Sequence, residues 1–156
     1  PIPDQKVEQH PPIERACRIR VCFSKTSPIT LLSHLDLVRL LERALRRSKL
    51  PVSFSGGFHP LPRLKIALAL PLGVEAYCEW MDIDFYKAIK PERVRQELQV
   101  EMPQGIQLLD SKEISIKESS LSQQLKGATW SFDLEIISTA SSIFFVSKLG
   151  LGSKSL

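Results

Sequence analysis

The pattern of residues in this 156-residue chain points to an α+β sandwich of the split βαβ, ferredoxin-like type (βαββαβ), followed by the start of an incomplete second subdomain. Three features carry that expectation. Period-two alternation over 18–25 and again over 77–85 marks two strands, and a period of 3.6 over 34–48 places an amphipathic helix between them. Pro91 with Glu92 then opens a second helix ahead of a further strand over 105–114.

Each element has a local cause. In Arg18–Lys25, Ile19, Val21 and Phe23 share one face and Arg18, Arg20, Cys22 and Ser24 the other, as a half-buried strand requires. Thr26-Ser27-Pro28 breaks it. Ser33 followed three residues on by Asp36 is a capping-box signature, and it starts the helix His34 to about Ser48. Leu37, Val38, Leu41, Ala44, Leu45 and Ser48 form its core side, while Arg39, Arg43, Arg46 and Arg47 fall within about 100° of one another. Pro51 ends this helix, and Val52–Ser55 reads as a short second strand. Gly56-Gly57 frees the backbone, whereas Pro60 and Pro62 restrict it, so residues 55–63 form a shaped loop. Residues 64–85 then read as a hairpin with strand character over Lys65–Leu70, a turn at Pro71-Leu72-Gly73, and a second strand at 77–85. In that strand Glu79, Asp82 and Asp84 alternate with Trp80, Met81 and Ile83, which reads as a solvent-facing edge. Val94 and Leu98 give the second helix its buried side, and Pro103 closes it. A short helix over 119–126 and a strand over 129–137 follow.

The domain organisation expected is a Pro-rich arm or linker at 1–16, a ferredoxin-like domain at 17–116, the start of a second subdomain at 117–137, and a poorly ordered tail at 138–156. Four of the eleven prolines fall in the arm; the tail is rich in Ser, Gly and Lys with one apolar run, Ile143–Val146, and no element left to pair with. A hydrophobic fraction of 43% with 24% charged residues fits a globular domain and not a disordered or collagen-like chain. The longest apolar runs fall far short of the roughly 20 residues of a membrane span, so no membrane partner is expected.

Cys17, Cys22 and Cys78 contain no CxxC pair and read as reduced thiols of a reducing compartment; Cys17 has no assigned role. No metal site is expected. Walker, HExxH and GxSxG motifs are all missing from the sequence.

Charge is unevenly distributed. Residues 18–65 hold ten Lys or Arg against Asp36 and Glu42, a local +8 within an overall +4. Such a segment suits a polyanion, and Arg suits bidentate phosphate contacts better than Lys does. The expected phosphate-binding set is Arg39, Arg43, Arg46, Arg47, Arg63 and Lys65, with loop contacts from Ser55, Gly56, Gly57, Phe58 and His59. Phe54 and Phe58 are candidates for base stacking, against the plainer reading that they belong to the core. His34 and His59 are the candidate catalytic pair for metal-independent RNA cleavage. A first helix running back over the sheet is expected to bring His34, the arginines and the 56–63 loop to one concave surface, with the two imidazoles within about 12 Å of each other, as contact with one nucleotide requires.

The residues Phe23-Ser24-Lys25, Leu32-Ser33-His34-Leu35-Asp36-Leu37, Arg39, Glu42–Arg47, Leu50-Pro51-Val52, Ser55, Gly57–Pro60, Pro62, Leu64 and Leu70–Glu75 occur in an order that resembles the radical-SAM-linked domain family of bacteria and plastids. That family is of uncharacterised function and is fused behind, or encoded beside, a radical SAM protein. The resemblance covers about 18–137, weakens after Phe85, and leaves the tail outside the pattern. It implies a radical SAM protein or domain as partner and a cytoplasmic or plastid-stromal location. An iron–sulfur cluster and S-adenosylmethionine would belong to the partner alone, since this chain has no CxxxCxxC motif and is expected to hold no cofactor. The function expected is an RNA-binding accessory domain acting in RNA modification or processing. The alternatives are a metal-independent endoribonuclease of ferredoxin-like type and a protein-docking module for the radical SAM partner. No oligomeric state is implied.

Overall fold

A computed structural model describes residues 14–119, 121–124, 127–139 and 142–155, the last two segments at the level of the backbone. Of the arm expected over 1–16, residues 1–13 lie outside the described residues. In chain order the elements are β1 (Cys17–Lys25), a 3₁₀ turn (Ile29–Leu31), α1 (His34–Arg47), β2 (Leu64–Ile66), β3 (Ala76–Phe85), α2 (Pro91–Val100), β4 (Ile106–Ile114), α3 (Leu121–Gln124), β5 (Gly127–Thr139) and β6 (Ser142–Ser155).

The first four strands are antiparallel in the order β4-β1-β3-β2, with α1 and α2 as the two helices; this is an α+β fold of ferredoxin-like type. Alternation along the strands produces the core as expected. Ile19, Val21 and Phe23 of β1 and Met81, Ile83 and Phe85 of β3 are fully buried, together with Leu37, Leu41, Ala44 and Leu45 of α1 and Val94 and Leu98 of α2. Burying each of the larger side chains contributes about 1.5–3 kcal/mol. The Ser33 hydroxyl caps α1 by accepting the Asp36 amide at 3.2 Å and donates to the Asp36 carboxylate at 2.7 Å. Gly105, at φ +96°, enters β4 where a Cβ would lie 2.7 Å from the Thr26 carbonyl, so no other residue fits there without a shift.

Strand lengths depart from expectation at two places. Residues 52–55 are not a strand: Val52 bridges Phe85 and Phe54 bridges Pro62 as isolated pairs, because Pro51 on one side and Gly56-Gly57 on the other leave no room for a ladder. β2 stops at Ile66 and does not reach Leu70. The amide of Ala67 still donates to Trp80, after which the chain bends toward Pro71. The helix expected over 119–126 is the single turn Leu121–Gln124. Beyond it, β5 and β6 form a long antiparallel pair, and β6 runs parallel to β3 through Ala76 and Cys78. Residues 142–155, for which the sequence offered no pairing partner, thus have a strand backbone that joins the sheet.

The second face of the sheet differs most from its sequence reading. Arg18, Arg20, Asp82 and Asp84 are not solvated; all are buried, at 7%, 2%, 4% and 6% exposure, and Glu79, opposite Phe23 on the core face, is buried as well. The register explains it. Arg18 lies opposite Asp84 and Arg20 opposite Asp82, so two charge pairs stack across β1 and β3. The Arg18 Nε donates to Asp84 at 2.6 Å, and Arg20 grips Asp82 with two bonds of 2.7 and 2.9 Å. Gln124 of α3 accepts a third bond from Arg20, which ties the turn of helix to this face.

Candidate nucleic-acid interface

The loop between Phe54 and Pro62 is closed at its base. Ser55 and Leu61 exchange backbone contacts, the Ser55 amide donating to the Leu61 carbonyl at 2.9 Å while the Ser55 hydroxyl accepts the Leu61 amide at 3.0 Å. Gly57 turns the tip at φ +103° with open space around it, so the conformation and not crowding selects glycine. Phe58, half exposed, and His59, exposed, stand at that tip. The last turn of α1 fixes the loop from one side: the Arg46 guanidinium donates to the Pro60 carbonyl at 2.5 Å and lies 5.1 Å from the centre of the Phe54 ring. Phe54 itself packs against the core, as the plainer reading had it.

Between this loop and the edge of the sheet is a cleft of about 260 Å³, lined by Arg15, Arg18, Ser55, Leu61, Pro62, Arg63, Leu64, Lys65, Asp82 and Asp84. Its four cations face two carboxylates, and both carboxylates are already engaged. Asp84 accepts from Arg18 and is 3.5 Å from Arg15, while Asp82 is held by Arg20 from behind. The hydrogen bond to Asp84 outweighs burial and raises the Arg18 pKa further, so this guanidinium is a fixed charge. Arg63 donates its Nε to the Phe54 carbonyl at 3.3 Å and has no acidic partner among the described residues. Lys65 is exposed beside it. The cleft therefore carries excess positive charge against an apolar wall of Leu61, Pro62 and Leu64.

The predicted site residues separate into groups. Ser55, Arg63 and Lys65 line the cleft, and Phe58 and His59 cap the adjoining loop with Gly56 and Gly57. Arg46 reaches the loop as a brace. Arg47 turns away to α2, where it binds the Glu101 carboxylate at 2.7 Å and its carbonyl at 3.1 Å. Arg39 pairs loosely with Asp36 at 3.5 Å, and Arg43 is exposed without a described partner. The arginines thus do not form one stripe. Of the ten basic residues in 18–65, Arg18, Arg20 and Lys25 are buried, the last donating to the carbonyls of Thr30 and Leu32, and the charge available to a ligand is smaller than the sequence count.

His34 and His59 are not at one end of the molecule. His34 opens α1 near the end of β1, next to the turn held by Lys25, and its enclosed Nδ1 has no hydrogen-bond partner among the described residues. The His59 loop is held by Arg46 at the other end of α1, about 18 Å further along the helix axis. The expectation of a shared surface assumed a full strand at 52–55 carrying the chain back along the sheet. Two isolated bridges do not carry it back, so the loop stays at the C-terminal end of α1.

Arg15 and the buried aspartates are cleft residues that the sequence reading missed. The signal was present for the aspartates: Arg18 and Arg20 on one strand and Asp82 and Asp84 on the other have the same spacing, which antiparallel pairing converts into two facing ion pairs. Among the described residues no group of three His, Cys, Asp or Glu side chains could hold a metal ion, and no described helix is long and apolar enough to cross a membrane. No curated protein matches the chain. Residues 18–149 match a family described as an uncharacterized protein conserved in bacteria (DUF2344), a span that continues past Ile137 into the segment that the motif resemblance left out. Since that match takes in most of its length, the chain belongs to this family.

Proposed function

We propose that the protein is an RNA-binding accessory domain that receives single-stranded RNA at the 55–65 edge. The observation carrying this reading is the cleft in which Arg63 and Lys65 make no ion pair among the described residues, beside a loop that presents Phe58 and His59 to solvent. Phosphates meet the cations while an unstacked base rests on the loop, the division of labour usual in single-strand recognition. The loop is braced by Arg46 and closed by Ser55, so little ordering entropy is lost on binding. Ultraviolet crosslinking of a uridine-rich single strand tests this. Adducts on Phe58, His59 or Arg63 support it, and adducts confined to α2 or β4 overturn it.

Cleavage by a His34–His59 pair finds no support in an arrangement that sets the two at opposite ends of α1. A radical SAM partner follows from the motif resemblance, and one surface suits it. Leu31, Leu35 and Leu72 are 74%, 65% and 61% exposed at the His34 end, where the Gly73 amide donates to the Thr30 carbonyl and joins their two segments. In this reading one end of the domain holds RNA and the other meets protein. Leu35→Glu is expected to abolish association with a radical SAM protein encoded beside it and to leave RNA affinity unchanged; loss of RNA affinity as well would refute the division.

A further inference from the structure

We propose that Cys22 and Cys78 are a dithiol site that closes reversibly to a disulfide by exchange with a small-molecule disulfide of the glutathione type. Cys22 stands opposite Trp80 in the β1–β3 ladder, and Cys78 lies two residues from Trp80 on the same face. In a regular ladder such a diagonal pair would be about 7–8 Å apart at the Cα atoms. The register shifts between Phe23 and Lys25, and the two Sγ atoms lie in contact at 2.6 Å. Cys17 cannot compete. It sits five residues away on β1, roughly 16 Å along the strand, with its thiol donating to the Lys87 carbonyl.

The two thiols are unequal, which sets the order of events. Cys78 is half-buried and offers the entry point, whereas Cys22 is buried, and burial together with the neighbouring Cys78 pushes its pKa upward. The Cys78 thiolate attacks oxidised glutathione; its S–S bond breaks, a mixed disulfide forms on Cys78, and one glutathione thiolate leaves. The Cys22 sulfur then attacks the Cys78 sulfur and expels the second glutathione, which takes up the Cys22 proton. Two protein thiols are oxidised and one glutathione disulfide is reduced to two thiols. The new bond would tie β1 to β3 at Cys78, the residue through which β3 also pairs with β6.

The test equilibrates the folded full chain with mixtures of reduced and oxidised glutathione and reads intact mass, with a parallel series in urea. The expected folded product lacks two hydrogens, maps to a Cys22–Cys78 crosslink, and forms at a ratio of oxidised glutathione at least about tenfold lower than in the unfolded chain. Cys17→Ser leaves this unchanged, and Cys22→Ser stops at a glutathione adduct on Cys78. A crosslink involving Cys17, or a folded chain that oxidises no more readily than the unfolded one, overturns the proposal.

Discussion

Arg20→Met removes one half of a buried ion pair and both of the hydrogen bonds that Asp82 receives from it. Asp82 is 4% exposed and receives two hydrogen bonds from Arg20, so the substitution leaves a carboxylate stranded in the sheet, with the Gln124 side chain also losing its donor. Breaking such a pair costs about 3–5 kcal/mol, far more than the near-zero value of an exposed pair such as Arg93–Glu97 on α2. With a urea dependence of about 2 kcal/mol per molar for a chain of this size, the unfolding midpoint falls by roughly 2 M. Tryptophan fluorescence at neutral pH reads it. The double variant Arg20→Met/Asp82→Leu is expected to recover most of the loss, because the expensive element is the unpaired charge and not the missing attraction. A midpoint within about 0.5 M of the parent for Arg20→Met would show that water reaches Asp82 and would refute the reasoning. A double variant destabilised by the sum of the single changes would do so equally.

Three further outcomes follow from local structure. Ser33→Ala deletes the cap that holds the Asp36 amide and is expected to cost about 1 kcal/mol, read as a lowered thermal midpoint, with Ser33→Asp recovering most of it. Gly105→Ala forces a Cβ to within 2.7 Å of the Thr26 carbonyl at a positive φ, so a loss of at least about 2 kcal/mol is expected, whereas Gly57→Ala meets no atom and carries the strain of its positive φ alone, about 1 kcal/mol. The Cys22 pKa is raised above its ordinary 9.0 by burial, which means the folded state holds a proton that the unfolded state releases first. Its stabilising effect is full below about pH 9 and is lost as pH rises above it. Lys25, lowered by burial, acts with the opposite sign just below its ordinary 10.5. Cys22→Val should therefore flatten the decline in urea midpoint between about pH 8 and pH 10, and an unchanged decline counts against the assignment.

The core and helices were legible because they rest on periodicity. Ile19, Val21 and Phe23 alternate, Leu37, Leu41 and Leu45 recur at helical spacing, and Ser33 with Asp36 and Pro91 mark starts that local chemistry alone decides. What pairing decides was hidden. Arg18, Arg20, Asp82 and Asp84 look solvated one strand at a time and become a buried ladder only once β1 and β3 are in register. The 52–55 segment has strand-like residues but is cut short by Pro51 and Gly56-Gly57 before a ladder forms, and that one difference moves the His59 loop to the opposite end from His34. The arginines of α1 were placed correctly on the helix surface. Their division among Asp36, Pro60 and Glu101 depends on what packs nearby, which no helical wheel contains.

The salt dependence of single-stranded RNA affinity tests the central claim most directly. Each phosphate neutralised contributes about −0.7 to the slope of log K against log salt, so replacing both Arg63 and Lys65 with Ala should weaken binding and make the slope shallower by about 1.4. Arg93→Ala, on α2 and paired with Glu97, should change neither. A slope that stays at the parent value in the Arg63/Lys65 double variant, or that drops as far in Arg93→Ala, would contradict an RNA site in the cleft.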